Sequence, residues 1–522
     1  MKAVIADKVL AIDVGTQSVR ALAFDALGNL IAGVQLHYDQ PYESAKPGFA
    51  EQDADYFWRY IADACQQLWK TGDVLAHEIA GVAVTTQRAT IVPLDEHGVP
   101  LRKAMLWLDQ RKAELVPTVG ATMEALLFFT RLRKSVRALQ ASAQANWLLL
   151  HEPDLWAKIK KYIFLSGYVT YKLTGEFKDS TACQVGYIPF DYQAQTWPRA
   201  SHWMWRAIPI KREWLPTLVQ PGGILGYVTV EAAACTGLVV GLPVIAAASD
   251  KACETLGAGC LHESQGCIGY GTTATINVNV ARYKEPVFLQ PAYPSAAAGQ
   301  YQMEIQIFRG FWLVSWFKDE FAKEEQRMAK ERGIPVEAWL DREIADVKAG
   351  ADGLLLQPYW SAGVRYPGLE ARGAVIGFHA GHTKAHLYKA LLEGLAYSMR
   401  EGKERIERKT GTLLTKMFIC GGGSQSDQMM QITADVLGMP VVRTKIHEAS
   451  GLGAAILATV GVGWHADLHI AVRAMTGQGE SFEPRKQQVQ VYDQVYRHQY
   501  RRMYSRLRPL YRAMSGLQKK ES

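Results

Sequence analysis

No run of apolar residues in this chain is long enough to cross a bilayer. The longest, residues 238–248, is interrupted by Gly241 and Pro243 and falls far short of the ~20 residues a membrane helix needs. The first fifteen residues, MKAVIADKVLAIDVG, lack the charged-then-apolar pattern of a secretory signal and lead straight into a predicted strand. Cysteine is sparse: there are seven, an odd number, and none forms a C-x-x-C pair. That excludes a disulfide framework and a clustered zinc site, and predicts reduced, mostly buried thiols in a cytoplasmic protein. Low-complexity linkers are missing too, so the halves of the chain are not predicted to behave as beads on a string.

Charge is modest at 21%, and the formal net charge of +7 is unevenly placed. Residues 485–522 hold ten Lys/Arg against two Asp/Glu, which exceeds the whole surplus and leaves the body close to neutral. Nucleic acid is therefore not the expected partner of the body. Within the tail, Tyr492, Tyr496, Tyr500 and Tyr504 recur every four residues, joined by Val495, Met503 and Leu507. This predicts an amphipathic helix that docks its aromatic face on the body and turns its arginines to water. Nucleic acid held by the aromatics and arginines, a membrane surface or a partner protein are the alternative targets.

A chain of 522 residues with 48% hydrophobic content is too long for one core and predicts an α/β protein of two or three domains. Two stretches are built alike. Residues 9–25, VLAIDVGTQSVRALAFD, and 266–278, GCIGYGTTATINV, each read as strand, Gly-Thr turn, strand. Gly15 and Gly271 let backbone N–H groups approach a phosphate, and Thr16, Gln17, Thr272 and Thr273 add side-chain donors. Asp13 ends an apolar strand, where a carboxylate can hold Mg²⁺ through water. The glycines lie 256 positions apart, which points to a duplicated fold holding one nucleotide from both sides. A third signal is residues 417–438, where an apolar strand meets Gly421, Gly422 and Gly423 and then a helix with Ser426 or Asp427 near its start. That turn leaves a flat space for an adenine ring or α-phosphate.

The coarse pattern predicts helices over 56–69, 314–332, 384–409, 426–437 and 450–460. It predicts a mainly helical stretch over 147–173, strands over 79–85, 90–94 and 242–248, and a boundary between 256 and 264.

These pieces resemble the FGGY family of carbohydrate kinases, within the superfamily that includes actin and heat-shock ATPases. The resemblance rests on Asp13-Val-Gly-Thr-Gln-Ser-Val-Arg20, Pro47-Gly-Phe-Ala-Glu-Gln-Asp53, Thr86-Gln-Arg88, Trp107-Leu-Asp-Gln-Arg111, Leu173-Thr-Gly-Glu176, Ala248-Ser-Asp250, Gly269-Tyr-Gly-Thr-Thr273, Ala371-Arg-Gly373 and Ile419-Cys-Gly-Gly-Gly-Ser424, which occur in the family's order. It implies two ribonuclease-H-like domains flanking a deep cleft. The first, 1–258, would hold the sugar site, and the second, 259–484, the adenosine site; 485–522 is the basic C-terminal helix. It also implies ATP and Mg²⁺ as cofactors and transfer of the γ-phosphate to a sugar or polyol, with a homodimer left open.

Residue by residue, the resemblance makes Asp250 the catalytic base and Asp13 the metal-linked carboxylate. Gly15, Thr16, Gln17 and Arg20 match the first phosphate loop, Gly271 and Thr272 the second, and Gly422, Gly423 and Ser426 the adenosine contacts. Gln87, Arg88, Asp109, Asp250 and Lys251 are the expected substrate residues. Three positions depart from the glycerol kinase pattern. Ala89 replaces a glutamate, Leu139 falls where an aromatic is usual, and Lys251 stands in place of a glutamine. The Met-His pair of xylulose-type kinases is missing near 86–90. The expected substrate is thus a ketose such as a pentulose, or a four- to six-carbon polyol, using space opened at Ala89; glycerol is the alternative. An actin-like ATPase or a silent sugar sensor is a more distant reading.

Overall fold

The computed structural model describes residues 6–361, 367–477 and 479–518, with side chains through 514. Residues 1–5 of the expected first domain and 519–522 of the expected tail lie outside the described residues. The chain forms two compact units. One comprises Met1–Gly257, Tyr293–Tyr301 and Ser450–Thr476; the other comprises Ala258–Ala292, Gln302–Ala449 and Gly477–Ser522. A linear division at 258 therefore leaves out two returns of the chain into the first unit.

The first unit is organised by a six-stranded sheet. Its order is Ile224–Tyr227, Pro243–Ile245, Ile79–Thr86, Lys8–Val14, Ser18–Phe24, Leu30–His37. Lys8–Val14 pairs antiparallel with Ser18–Phe24 and parallel with Ile79–Thr86, in a register that sets Asp13 between Arg20 and Thr85. Continuous burial along Val9–Val14 explains why this strand reads as a nearly unbroken apolar run. The helix Ala54–Lys70 covers the sheet through Phe57, Trp58, Ile61, Ala64, Cys65 and Leu68, the spacing of one buried helical face. Asp53 caps it by accepting from Asp55 N–H at 3.0 Å.

A smaller four-stranded sheet in the same unit orders Glu51–Gln52, Ala104–Met105, Ile91–Leu94 and Lys161–Phe164. It interrupts the stretch 147–173, which is mainly helical as expected. Helices end at His151 and Lys158, Lys161–Phe164 is a strand paired to Ile91–Leu94, and helix resumes at Leu165–Thr174. Tyr162 and Phe164 in that strand join a second apolar core with Ile91, Phe190 and Trp214.

The second unit repeats the first. Tyr301–Ile307, Ala274–Val280, Gln265–Tyr270, Lys416–Cys420, Val441–Arg443 and Ser481–Phe482 are, in that order, six consecutive strands of a seven-stranded sheet. Again a hairpin is antiparallel and the next two strands add in parallel. One edge differs: the antiparallel edge strand precedes its partner in the first unit and follows it in the second. The 27-residue helix Lys384–Thr410 crosses this unit with most of its first half buried. The expected helix over 314–332 breaks at Ala322 into Trp312–Phe321 and Lys323–Glu331.

The tail docks on the second unit by its tyrosines, as its periodicity predicts. Tyr492, Tyr496, Tyr500 and Tyr504 are all buried. Their hydroxyls bond Glu393 (2.9 Å), Glu404 (3.1 Å), Ser398 (2.7 Å) and Glu370 (2.9 Å), respectively. A four-residue repeat overshoots an α-helical turn by roughly 40° per step. Between Lys486–Val495 and Arg501–Gln518 the chain makes a π-helical turn, Tyr496–Tyr500, whose wider winding keeps the stripe on one side.

Candidate active site

In the first unit the expected residues gather at the ends of Lys8–Val14 and Ile79–Thr86. Gly15 N–H donates to Ser18 O at 2.9 Å and closes the first Gly-Thr turn. Asp13 is 6% exposed, and Arg20 Nη1 reaches its Oδ2 at 3.3 Å. Gln17 is exposed, and its carbonyl accepts from Tyr38 N–H at 3.0 Å.

Thr16 ties this turn to the neighbouring loop. Its hydroxyl donates to Gln87 Oε1 at 3.0 Å and accepts from Trp107 Nε1 at 2.9 Å. Gln87 is 2% exposed, and its Nε2 has no hydrogen-bond partner among the described residues. A buried amide donor left unpaired costs about 1–3 kcal/mol, so its presence next to Arg88 marks a place where a ligand oxygen would be welcome.

Asp250 begins the helix Asp250–Gly257, following the strand Pro243–Ile245. Its Oδ1 accepts from Lys251 N–H at 2.8 Å and lies 3.4 Å from Arg88 Nε. Burial raises the Asp250 pKa above the usual carboxylate range, against the pull of Arg88 and Lys251. A more basic carboxylate beside a fixed cation suits proton acceptance from an attacking hydroxyl.

Three expected substrate positions are used differently. Asp109 holds Arg111 bidentately, at 2.8 and 2.6 Å, and accepts from Ala50 N–H at 2.9 Å. Its side chain is 1% exposed, and Arg111 also reaches Glu51 at 2.6 Å and lies 3.7 Å from the Phe49 ring centroid. Asp109 thus braces the Pro47–Asp53 motif rather than facing a ligand. The Lys251 ammonium is bound to Glu254 at 2.8 and 3.0 Å. Ala89, partly buried, stands at φ 55° and packs against the second apolar core, next to Gly186.

In the second unit the other two loops meet. Gly271 O accepts from Phe311 N–H at 3.1 Å and Thr272 O from Trp312 N–H at 3.3 Å, leaving the Thr272 side chain exposed. Gly421 has φ 81°, and a Cβ there would lie 2.8 Å from Tyr270 O and 3.2 Å from Gly271 N. A Cβ on Gly423 would lie 2.4 Å from the Phe311 ring, whereas one on Gly422 would meet nothing within 4 Å. Gly422 therefore presents open backbone. Ser426 caps the helix Asp427–Leu437 by accepting from Met429 N–H at 3.0 Å.

Sequence reasoning missed Phe311 and Asp341 here. Burial pushes Asp341 up to about 6 against a pull from Ser426, and its Oδ1 has no partner among the described residues. The Gly-Phe pair after a strand was the available signal for Phe311; Asp341 lies in a plain amphipathic helix and gave none.

Two Gly-Thr hairpin units of repeated topology, one with a carboxylate–arginine pair, make up the fold shared by sugar kinases and actin-like ATPases. Residues 8–257 match the model of the FGGY family of carbohydrate kinases, N-terminal domain, and residues 266–462 that of its C-terminal domain. The chain belongs to this family and is an ATP-dependent sugar kinase. It is 28% identical over 495 residues to a xylulose kinase of Lactococcus lactis subsp. lactis, covering 93% of this chain and 94% of that one. A glycerol kinase of Deinococcus radiodurans is 28% identical over 491 residues, at 91% and 93% coverage. The crystal structure of xylulose kinase from Rhodospirillum rubrum superposes with a TM-score of 0.79 at 26% identity, over 97% of this chain and 100% of that one. Among the described residues no helix is long and apolar enough to cross a membrane.

Proposed function

We propose that the chain transfers the γ-phosphate of ATP to a hydroxyl of a ketose, with a pentulose as the leading substrate, and that Asp250 is the base. The observation that carries this is the 3.4 Å contact between Asp250 and Arg88, beside the unpaired amide donor of Gln87. Asp250 takes the proton of the substrate hydroxyl as that oxygen bonds to the γ-phosphorus and the bond to the β-phosphate oxygen breaks, releasing ADP.

The donor inventory favours a ketose over glycerol. Arg88 and Gln87 Nε2 offer N–H groups, and position 89 offers nothing because it is alanine. A ketose carbonyl only accepts hydrogen bonds, so a donor-rich wall satisfies it fully. Every hydroxyl, on a ketose or on glycerol, also needs an acceptor, and one left unpaired in a buried site costs about 1–3 kcal/mol; the ketose carbonyl is the one group that brings no donor of its own to pair. Xylulose kinases and glycerol kinases both stand among the relatives, so the chemistry of this wall is what separates the two readings.

Asp13 fits a magnesium ion: it is a buried hard-oxygen ligand at a strand end, with Arg20 on one oxygen. The ion, when bound, would neutralise charge between the β- and γ-phosphates. Gly15, Thr16, Gln17 and Arg20 in one unit, and Gly271, Thr272, Gly422, Gly423 and Ser426 in the other, are the proposed nucleotide contacts. Asp109 and Lys251 are assigned to the frame.

The test is a panel of pentuloses, hexuloses, four- to six-carbon polyols and glycerol, with ADP release coupled to NADH oxidation. A ketose should give the highest kcat/KM, with glycerol about one to two decades lower. Preference for glycerol over every ketose would overturn the substrate assignment.

A further inference from the structure

The segment Tyr293–Tyr301 is separated in sequence from the first unit by the excursion Ala258–Ala292, yet it packs within that unit. It is fastened there near its far end. Tyr301 Oη donates to Gln193 O at 2.6 Å, and Gln195 Nε2 donates to Gln300 O at 2.7 Å. At its near end Tyr293 faces Arg88, whose guanidinium carbon lies 5.4 Å from the ring centroid. Tyr293 in turn meets Tyr192 edge-on, with centroids 5.8 Å apart, and Tyr192 meets Phe190 at 5.1 Å. Tyr192 is locked by its hydroxyl, which donates to Gly186 O at 3.0 Å and accepts from Gly186 N–H at 3.2 Å. Phe190 is fully buried in the second apolar core. An unbroken line of rings thus runs from that core to Arg88, and Arg88 touches Asp250.

We propose that Tyr293 is a positioning residue: its ring holds the Arg88 guanidinium beside Asp250, so that substrate hydroxyls meet a preset donor fork and base. The inference rests on the reading of Asp250 as the base. Arginine side chains carry several rotatable bonds, and a cation over an aromatic face gains enough to select one arrangement. Arg88 follows the strand Ile79–Thr86 in a loop, and Asp250 holds it from one side. The returning segment supplies the missing wall.

The charged and titratable groups around Asp250 are Arg88, Lys251 and Glu254, with the Cys183 and Cys253 thiols behind. Of these, Arg88 lies over the Tyr293 ring. Arg88 pulls the Asp250 pKa down. If Tyr293 is lost and Arg88 drifts, Asp250 becomes harder to ionise, and the acid limb of kcat/KM moves to higher pH.

The experiment measures the pH dependence of kcat/KM for wild type, Tyr293→Phe, Tyr293→Leu and Asp250→Asn with the best substrate of the panel. Tyr293→Phe keeps the ring and should leave the acid limb where wild type has it. Tyr293→Leu should lose about threefold to thirtyfold in kcat/KM, chiefly through KM, and shift its acid limb upward. Mere loss of folded enzyme would scale the profile without moving the limb. An unshifted limb in Tyr293→Leu, while Asp250→Asn is inactive, overturns the role of Tyr293 and spares the base. An active Asp250→Asn overturns the reading beneath it.

Discussion

Replacing Gly422 and Gly421 separately by alanine should give opposite phenotypes, although the two are neighbours in one turn. At Gly421 the backbone is left-handed, which costs an alanine about 1–2 kcal/mol. The new Cβ would also press on Tyr270 O at 2.8 Å, a backbone atom of a central strand that cannot step aside. Overpacking of that kind adds about 1–3 kcal/mol, so Gly421→Ala should be destabilised by about 2–5 kcal/mol. Gly422 has no positive φ and nothing within 4 Å of an added Cβ, so Gly422→Ala should keep wild-type stability within about 0.5 kcal/mol. If its open backbone receives the nucleoside, however, the methyl occupies ligand space. A clash of about 1–3 kcal/mol would then weaken ATP binding about 5- to 150-fold. Differential scanning fluorimetry and ATP titration calorimetry on both variants separate these effects. Unaltered ATP affinity in Gly422→Ala would remove that face from the nucleotide site. A wild-type melting curve for Gly421→Ala would refute the conformational argument.

Asp250→Asn should lower kcat by about 10²–10⁴-fold while ATP titration stays near wild type, since only proton acceptance is lost; near-normal turnover would exclude Asp250 as base. Asp13→Ala should raise the Mg²⁺ concentration needed for half-maximal rate, and an unchanged Mg²⁺ titration would count against its assignment. Glu393 is buried, accepts from Gly350 N–H and Tyr492 Oη, and burial pushes it up to about 7. Its folded pKa lies above the unfolded value, so the folded state loses stability as pH rises from about 4.5 through 7. Glu393→Gln cannot ionise and should melt several degrees above wild type at pH 8 but close to it at pH 5, reflecting at most about 3 kcal/mol; a pH-independent difference would contradict this.

The hairpins at Gly15 and Gly271 were legible because local patterning decides them: apolar β-formers flank a turn residue with no Cβ. The triple-glycine turn was legible for the same reason, as was the helix Ala54–Lys70 with its buried stripe. The strand Lys161–Phe164 was not, because its conformation is imposed by pairing with Ile91–Leu94, some seventy residues upstream. Asp109 was expected at the substrate because it lies in the Trp107–Arg111 segment that resembles the family. The groups it bonds, Arg111 and the Ala50 N–H, converge only in three dimensions. Ala89 suggested an opened pocket from its small size; that it packs against an apolar core at φ 55° was not legible. Tyr293 carried no signal at all, since nothing local says that its segment returns to the first unit.

That return has a counterpart near the other end. Gly451, in the segment Ser450–Thr476, comes so close to Leu22 that a Cβ would lie 2.4 Å from that side chain. Gly453 sits against Cys253 O at 2.0 Å by the same measure, and His465 Nε2 bonds Ala26 O at 2.9 Å. During synthesis, then, the first unit to leave the ribosome is the last to be finished. Its sheet can assemble from residues before 258, but part of its covering emerges only after most of the second unit has been made. A nascent chain stalled at the apparent domain boundary would expose apolar surface around Leu22 and Cys253. A fragment ending there is a poor choice for expression, and one that supplies 450–476 in trans is the natural remedy.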